Sequence, residues 1–288
     1  MNIVRDIKIN NALRCPICKA PMGVREDGAV LFCEGTRRHA YDFASAGYVN
    51  LSAPGQSNGG DAKLAVRARS AFLDKEYYRP VADKLCELTL KYTGEDALAI
   101  DAGCGEGYYS VSLASYGVAV AGFDLSKFAA DAAAKRARRV GVGNAFFGVA
   151  SVYSMPLADG CADAVVNVFA PCVEAEYSRV LDGNGVLIVV YAGPDHLKGL
   201  KEAIYDKVGV NDGRADLPKE MAEIECQRLK YRITVEGNST VKDLFAMTPY
   251  YWRTSVDDVK KLDGVERLET DIDMIFAVYG KQRECDKK

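Results

Sequence analysis

Asp96-Ala-Leu-Ala-Ile-Asp-Ala-Gly-Cys-Gly-Glu-Gly-Tyr108 is an apolar run that ends in three glycines spaced two apart. Read as a buried strand entering a tight turn, it is the first βα unit of a sheet, with backbone free to approach a ligand. Four more apolar runs of strand length follow: Val118–Phe123, Ala145–Ala150, Ala164–Phe169 and Val186–Tyr191. Helical runs at Ser126–Val140 and Val173–Leu181 separate most of them, and Ala62–Phe72 and Arg79–Tyr92 read as two helices ahead of the first strand. Continuously apolar strands alternating with helices imply a parallel sheet covered on both faces. Ile272–Tyr279 reads as a late edge strand, and the class is α/β, doubly wound.

In such sheets ligands settle at the carboxyl ends of the strands. The Gly103-x-Gly105-x-Gly107 spacing differs from the G-x-G-x-x-G of dinucleotide folds, and Asp101 opens the motif where a pyrophosphate would be repelled. An acidic lip suits a ligand with a cationic end, such as the sulfonium and ammonium of S-adenosylmethionine. Asp124, at the end of the second strand and about twenty residues past the glycines, is placed to accept from ribose hydroxyls. Ser151-Val-Tyr-Ser-Met-Pro-Leu157 occupies the place of residues that flank adenine. These are the marks of a class I methyltransferase, Rossmann-like in topology.

The first fifty residues differ in character. Cys15-Pro-Ile-Cys18 is a C-x₂-C knuckle, and Cys33 and His39 supply a second arm. Four protein ligands close a tetrahedron, so the zinc expected here is structural, and so small a region needs such a staple. The remaining cysteines, Cys86, Cys104, Cys161, Cys172, Cys226 and Cys285, are scattered and read as incidental. Ala53–Asp61, almost without apolar side chains, reads as a linker. The expected division is a zinc-binding RNA-recognition domain at 1–52, linker and connecting helix at 53–75, and the methyltransferase domain at 76–288.

With 49% apolar and 27% charged residues the chain can build a core, and a net charge of −3 excludes a polycationic nucleic-acid binder. No apolar run is long enough to span a bilayer and no signal core opens the chain, so the expectation is a cytoplasmic protein with no membrane partner. RNA binding would need a local basic surface. Residues 1–50 hold seven Lys/Arg against five acidic residues, with Arg37 and Arg38 inside the metal loop. Lys63, Arg67 and Arg69 lie on the helix after the linker, whereas Lys135, Arg136, Arg138 and Arg139 read as a solvated helix face.

Taken in order, Cys15-Pro-x-Cys18, Gly47-Tyr-Val-Asn-Leu51, Ala71-Phe-Leu-Asp74, Asp101-x-Gly-Cys-Gly-Glu-Gly-Tyr-Tyr109, Ala132-Ala-Ala-Lys-Arg136, Ala170-Pro-Cys172, Gly193-Pro-x-His-Leu197 and Thr248-Pro-x-x-Trp-Arg253 carry a resemblance over nearly the whole chain. The sequence resembles the bacterial 23S rRNA guanine-N1 methyltransferases, the large-subunit methyltransferase A family. That resemblance implies methylation of N1 of a guanine in a 23S rRNA hairpin (hairpin 35), with the zinc domain helping to recognise the RNA, and a homodimer. It implies zinc at Cys15, Cys18, Cys33 and His39, and S-adenosylmethionine contacts from Tyr78, Gly105, Glu106 and His196, to which the residue reading adds Asp101, Gly103 and Asp124. The five residues between Cys33 and His39 exceed the family's usual spacing, and Asn167 and Asp195 stand where some relatives carry basic residues.

Tyr78 reads as exposed at a helix start, and His196 as a residue of the sheet's carboxyl edge, open to a role as cofactor contact, base or structural histidine. Phe169, Pro171 and Cys172 follow the fourth strand, where a target base is held, and Phe169 has the shape to stack on it. No residue is marked as the base that takes the N1 proton. Two rival readings share the cofactor motif: a methyltransferase of small molecules, and a non-catalytic RNA-binding relic.

Overall fold

The computed structural model describes residues 6–26, 28–52, 63–207 and 217–281. The linker read at Ala53–Asp61 and Cys285 lie outside the described residues.

The chain opens with a short helix α1 (Ile7–Ala12), capped by the Asp6 carboxylate, which accepts from the Lys8 and Ile9 backbone N–H groups. Three short strands follow, β1 (Met22–Val24), β2 (Val30–Cys33) and β3 (Ala40–Asp42), paired antiparallel in the order β1-β2-β3. Next come β4 (Val49–Asn50) and the helices α2 (Lys63–Leu73) and α3 (Arg79–Thr93). The doubly wound part then runs β5 (Leu98–Ala102), α4 (Tyr108–Ser115), β6 (Ala119–Asp124), α5 (Lys127–Val140), β7 (Ala145–Val149), β8 (Ala162–Val168), α6 (Glu174–Val180) and β9 (Leu181–Ala192). After α7 (Lys198–Ile204) the chain forms β10 (Ala222–Glu236), α8 (Asn238–Ala246), a 3₁₀ turn at Pro249–Trp252, α9 (Val256–Lys260) and β11 (Arg267–Gly280).

The large sheet has the order β10-β11-β9-β8-β5-β6-β7-β4. From β5 the chain winds outward to β6 and β7, then returns to β8 on the other side of β5; all these neighbours are parallel. The reversal makes β5 the switch point, the place where open α/β sheets hold ligands at the strands' carboxyl ends. The antiparallel β11 and β10 extend the far side.

Ile272–Tyr279 is therefore not an edge strand, as the sequence suggested. It belongs to β11, which lies between β9 and β10, and the edge is β10. β10 escapes an apolar-run reading because its outward residues, among them Arg228, Lys230 and Arg232, are exposed, while Leu229 and Tyr231 are only partly buried. β4, the opposite edge, is two residues long and pairs parallel with β7.

One apolar cluster covers each face of the sheet. On one face Phe72, Tyr78 and Leu85 from the helices meet Val120, Val166, Ile188 and Phe276. On the other, Ile9, Leu13, Leu31 and Leu51 from the first fifty residues pack with Ile100, Phe123, Val165 and Leu187. Backbone hydrogen bonds reinforce this second contact: Arg14 N–H to Pro156 O at 2.8 Å and Ala158 N–H to Ala12 O at 2.8 Å. Among the described residues no helix is long and apolar enough to cross a membrane.

Phe276, fully buried in β11, separates an interior strand from an edge strand. Phe276→Ala is expected to cost about 3–5 kcal/mol, the range for a truncated buried aromatic, whereas Cys226→Ala on exposed β10 should change stability by less than about 1 kcal/mol; urea unfolding checks both.

Candidate metal centre and cofactor site

Each of the two metal-binding arms is built by a tight turn through a left-handed residue. In the first, Lys19 adopts φ 59° and its N–H donates to Cys15 O at 2.9 Å, closing the loop that brings Cys18 back beside Cys15. In the second, β2 ends at Cys33, whose N–H donates to His39 O at 2.8 Å, while the His39 N–H donates to Cys33 Sγ at 3.1 Å. The longer stretch between Cys33 and His39 thus folds back on itself through Arg38, at φ 43°, and still closes.

All four donor atoms lie within 4.8 Å of one another. Cys18 Sγ is 3.7 Å from Cys33 Sγ, and His39 Nδ1 is 3.5 Å from both Cys15 Sγ and Cys33 Sγ. A zinc tetrahedron with Zn–S near 2.3 Å and Zn–N near 2.0 Å has edges of about 3.8 Å between sulfurs and about 3.5 Å between sulfur and nitrogen. The donor set and its spacing therefore fit one structural zinc ion. Burial pushes the Cys15 thiol up, but hydrogen bonds from Tyr41 and from the Cys18 and Ile17 backbone outweigh it and bring the group down to about 6. Such a thiol is readily held as the thiolate that binds metal.

At the switch point, β5 delivers Asp101 and then the glycine loop. Gly103 has φ +83°, and a Cβ there would lie 2.6 Å from the Ala170 Cβ; Gly107 has φ +75°, with Ala133 Cβ 2.7 Å from a Cβ at that position. Both positions therefore need glycine twice over, for backbone conformation and for packing against the β8–α6 turn and α5. The Gly103 and Cys104 N–H groups donate to Phe123 O, and the Gly105 N–H donates to Asp124 Oδ2 at 3.1 Å. Asp124 also accepts from the Ser126 N–H at 2.7 Å, so it fastens the loop to the start of α5.

Three carboxyl groups converge here. Asp101 is buried and accepts a short hydrogen bond from Ser110 Oγ; burial pushes it up to about 7 against that bond, and the charges of Asp124 and Glu106 add to the rise. Glu106 is buried too, and burial raises it despite the nearby Arg69 and Arg136 charges. Its Oε2 has no hydrogen-bond partner among the described residues, with Arg69 Nη1 at 3.5 Å as its ion-pair partner. A buried acidic lip with an unsatisfied oxygen suits the cationic methionine end of S-adenosylmethionine.

The second rim comes from β8 and β9. Phe169 follows β8 in a left-handed conformation (φ 57°), and its ring, 52% exposed, lies 5.8 Å from the His196 ring. Asn167 holds this turn: its Nδ2 donates to Pro171 O and Tyr177 Oη, both at 3.0 Å, and its Oδ1 accepts from the Ala170 N–H. Asp195 is likewise engaged at the surface, with Lys230 at 2.6 Å and Arg228 at 3.2 Å.

Two sequence expectations change. Tyr78 is buried, not exposed: it packs under α3 with its hydroxyl 3.3 Å from His196 Nε2. Burial holds His196 down near 4, so the imidazole is neutral. Its Nδ1 accepts the Asp273 N–H at 3.3 Å, which leaves the hydrogen on Nε2, toward Tyr78. With that tautomer His196 donates to the Tyr78 hydroxyl, and its ring lies beside that of Phe169. The second change concerns the basic run of α5. Arg136 is buried, donating to Glu106 O at 3.2 Å and Asp74 Oδ1 at 2.6 Å, and Arg138 donates to the Ser45 and Ala46 carbonyls. These arginines tie the glycine loop and the first fifty residues to α5, and only the pattern of the run, not its partners, was visible in the sequence. Arg69 too turns inward to the lip, while Lys63 and Arg67 stay exposed.

Cys15→Ser is expected to lose the zinc and to lower the melting temperature by roughly 5–10 °C, a few kcal/mol for a chain of this size. Metal analysis and a thermal melt check it, with S-adenosylmethionine affinity within about twofold of wild type, because the lip is built by other elements.

Comparison with known proteins agrees with this geometry. Residues 99–183 match a family model described as "Methyltransferase domain". A 23S rRNA (guanine(748)-N(1))-methyltransferase of Streptomyces fradiae is 31% identical over 92% of this chain and 95% of its own length. A putative 23S rRNA (guanine-N(1)-)-methyltransferase of Bacillus subtilis, YxjB, is 28% identical over 92% of this chain and 95% of its length. A further relative with the same description, from Micromonospora griseorubida, is 30% identical over 67% of this chain and 69% of its length. With its sheet, its acidic glycine loop and its Cys₃His cluster in place, the chain belongs to the 23S rRNA (guanine-N1)-methyltransferase family.

Proposed function

We propose that this protein transfers a methyl group from S-adenosylmethionine to N1 of a guanine in a 23S rRNA hairpin, in the cytoplasm. The observation that carries the reading is the acidic lip at the switch point of the sheet, Asp101 and Glu106 buried and Asp124 beside them, with Phe169 presented on the adjoining rim. S-adenosylmethionine supplies an activated methyl on a sulfonium leaving centre. Asp124 is placed for the ribose, Ser151 and Val152 for the adenine, and Asp101 and Glu106 for the cationic end, with Gly103, Gly105, Tyr78 and His196 shaping the wall.

The protein's own contribution is positioning. Phe169, fixed in its turn by Asn167 and backed by the neutral His196, offers a face on which an extruded guanine can stack with N1 toward the methyl. Residues 1–52 would recognise the RNA, with the exposed Arg37 and Arg38 of the metal loop and Lys63 and Arg67 of α2 on phosphate, residues 53–75 would connect, and residues 76–288 would carry out transfer. The zinc at Cys15, Cys18, Cys33 and His39 holds the recognition module in shape and takes no part in the chemistry.

Tritiated methyl transfer to unmodified 23S rRNA, followed by mass spectrometry of the nucleosides, is expected to give N1-methylguanosine at one hairpin position. Incorporation into small molecules instead would support the metabolite-methylating alternative, and cofactor binding without transfer to either would support the relic.

The electrostatics add a pH dependence. In the folded protein Asp101 keeps its proton up to about 7, and a cationic ligand favours the ionised carboxylate, so binding expels a proton below that pH. The dissociation constant for S-adenosylmethionine should rise about tenfold from pH 8 to pH 6, the value for one displaced proton, and become flat in Asp101→Asn. Calorimetric titration at the two pH values measures it, and a flat wild-type profile contradicts it.

A further inference from the structure

The Thr248-Pro-Tyr-Tyr-Trp-Arg253 segment takes no part in the cofactor site, yet it presents large side chains to solvent. Trp252 is 66% exposed, and Tyr251 beside it is exposed too, their rings 5.0 Å apart and perpendicular. The segment is held in place from behind. Tyr251 packs on Phe245 of α8 at 5.7 Å, Lys201 Nζ lies 5.8 Å over the Tyr250 ring, and Thr254 Oγ1 hydrogen-bonds Tyr205 Oη. Burying this much aromatic surface would be favourable, so a rigid turn that keeps it outside indicates a ligand.

Position and charge identify that ligand. Tyr250 packs against the apolar cluster that holds Tyr78, whose hydroxyl meets His196, and the His196 ring lies beside that of Phe169, so one cluster links the segment to the rim read as holding the target base. Arg253 is exposed and has no ion-pair partner among the described residues. The nearby acidic residues Asp257 and Asp258 are neutralised by Lys260 and Lys261, leaving Arg253 as the local uncompensated charge. Exposed aromatic rings beside an unpaired guanidinium are the chemistry of a platform for unstacked nucleotides, where rings take bases and the cation takes phosphate.

We infer that Tyr251, Trp252 and Arg253 form a stacking platform for an unpaired base next to the target guanine of the RNA substrate, an inference that rests on the RNA-methylating reading above. The platform holds the strand after the guanine has left its stack, and so contributes to RNA affinity and to the choice of guanine.

Trp252 is the chain's one tryptophan, so its fluorescence reports on the platform alone. Titrating the zinc-loaded protein with a transcribed hairpin 35 fragment should quench the emission, whereas a fully paired duplex of equal length should not. Trp252→Ala should raise the KM for the hairpin about 5- to 150-fold, the equivalent of one base–aromatic stack, with S-adenosylmethionine affinity and melting temperature unchanged. Trp252→Phe should recover most of the loss. Methylation by the wild type with no quenching and an unaltered KM in Trp252→Ala would overturn the inference, as would an equal fall in melting temperature, which would make Trp252 structural. A fluorescence change that follows protein concentration without RNA would assign the face to a second copy and also overturn it. Quenching by the hairpin without methyl transfer would leave the platform standing and refute the enzymatic reading.

Discussion

Three carboxyl groups brought together under one glycine loop set the terms for this structure. Asp101, Glu106 and Asp124 arrive from the ends of β5 and β6, and two of them are buried. Mutual repulsion and lost hydration would force such a cluster apart or protonate it unless the scaffold compensates. The compensation is distributed: Ser110 on α4 serves Asp101, backbone N–H groups serve Asp124, and Arg69 from α2 reaches Glu106. Arg136 grips the loop's own carbonyl from α5 and is itself anchored by Asp74 at the end of α2. A loop held from three helices and two strands is closely fixed, and Glu106 Oε2 is left without a hydrogen bond among the described residues.

The same economy joins the first fifty residues to the large sheet. The region that carries the Cys₃His cluster does not stand apart; its apolar residues complete the cover of one sheet face, and β4 lengthens the sheet itself. Arg138 adds a polar tie from α5 to the Ser45 and Ala46 carbonyls. The Cys₃His region is thereby fixed to the sheet by packing.

Much of this was legible in the residues. The runs from Asp96 to Tyr191 read as strands because parallel strands buried on both faces are apolar without interruption, and β5 to β9 follow them closely. The metal quartet was visible because thiolate and imidazole donors in that spacing serve few other ends. What was hidden depends on tertiary context. β10 is an exposed, charged edge strand whose alternation is diluted by Arg and Lys, so nothing in it looks buried, and β11 consequently passed for the edge. The lysine and arginine run on α5 reads as solvated until the fold places Asp74 and Glu106 against it. Tyr78 passed for an exposed residue because its cover comes from His196, more than a hundred positions away.

The central claim is that the arginine braces hold the acidic glycine loop in the form that binds S-adenosylmethionine. Calorimetric titration of the zinc-loaded wild type and of Arg136→Met with S-adenosylmethionine tests it most directly. The account predicts one site per chain in the wild type and at least about tenfold weaker binding in the variant, since an uncompensated buried charge costs upward of about 1.4 kcal/mol. Equal affinity in the two proteins would contradict it.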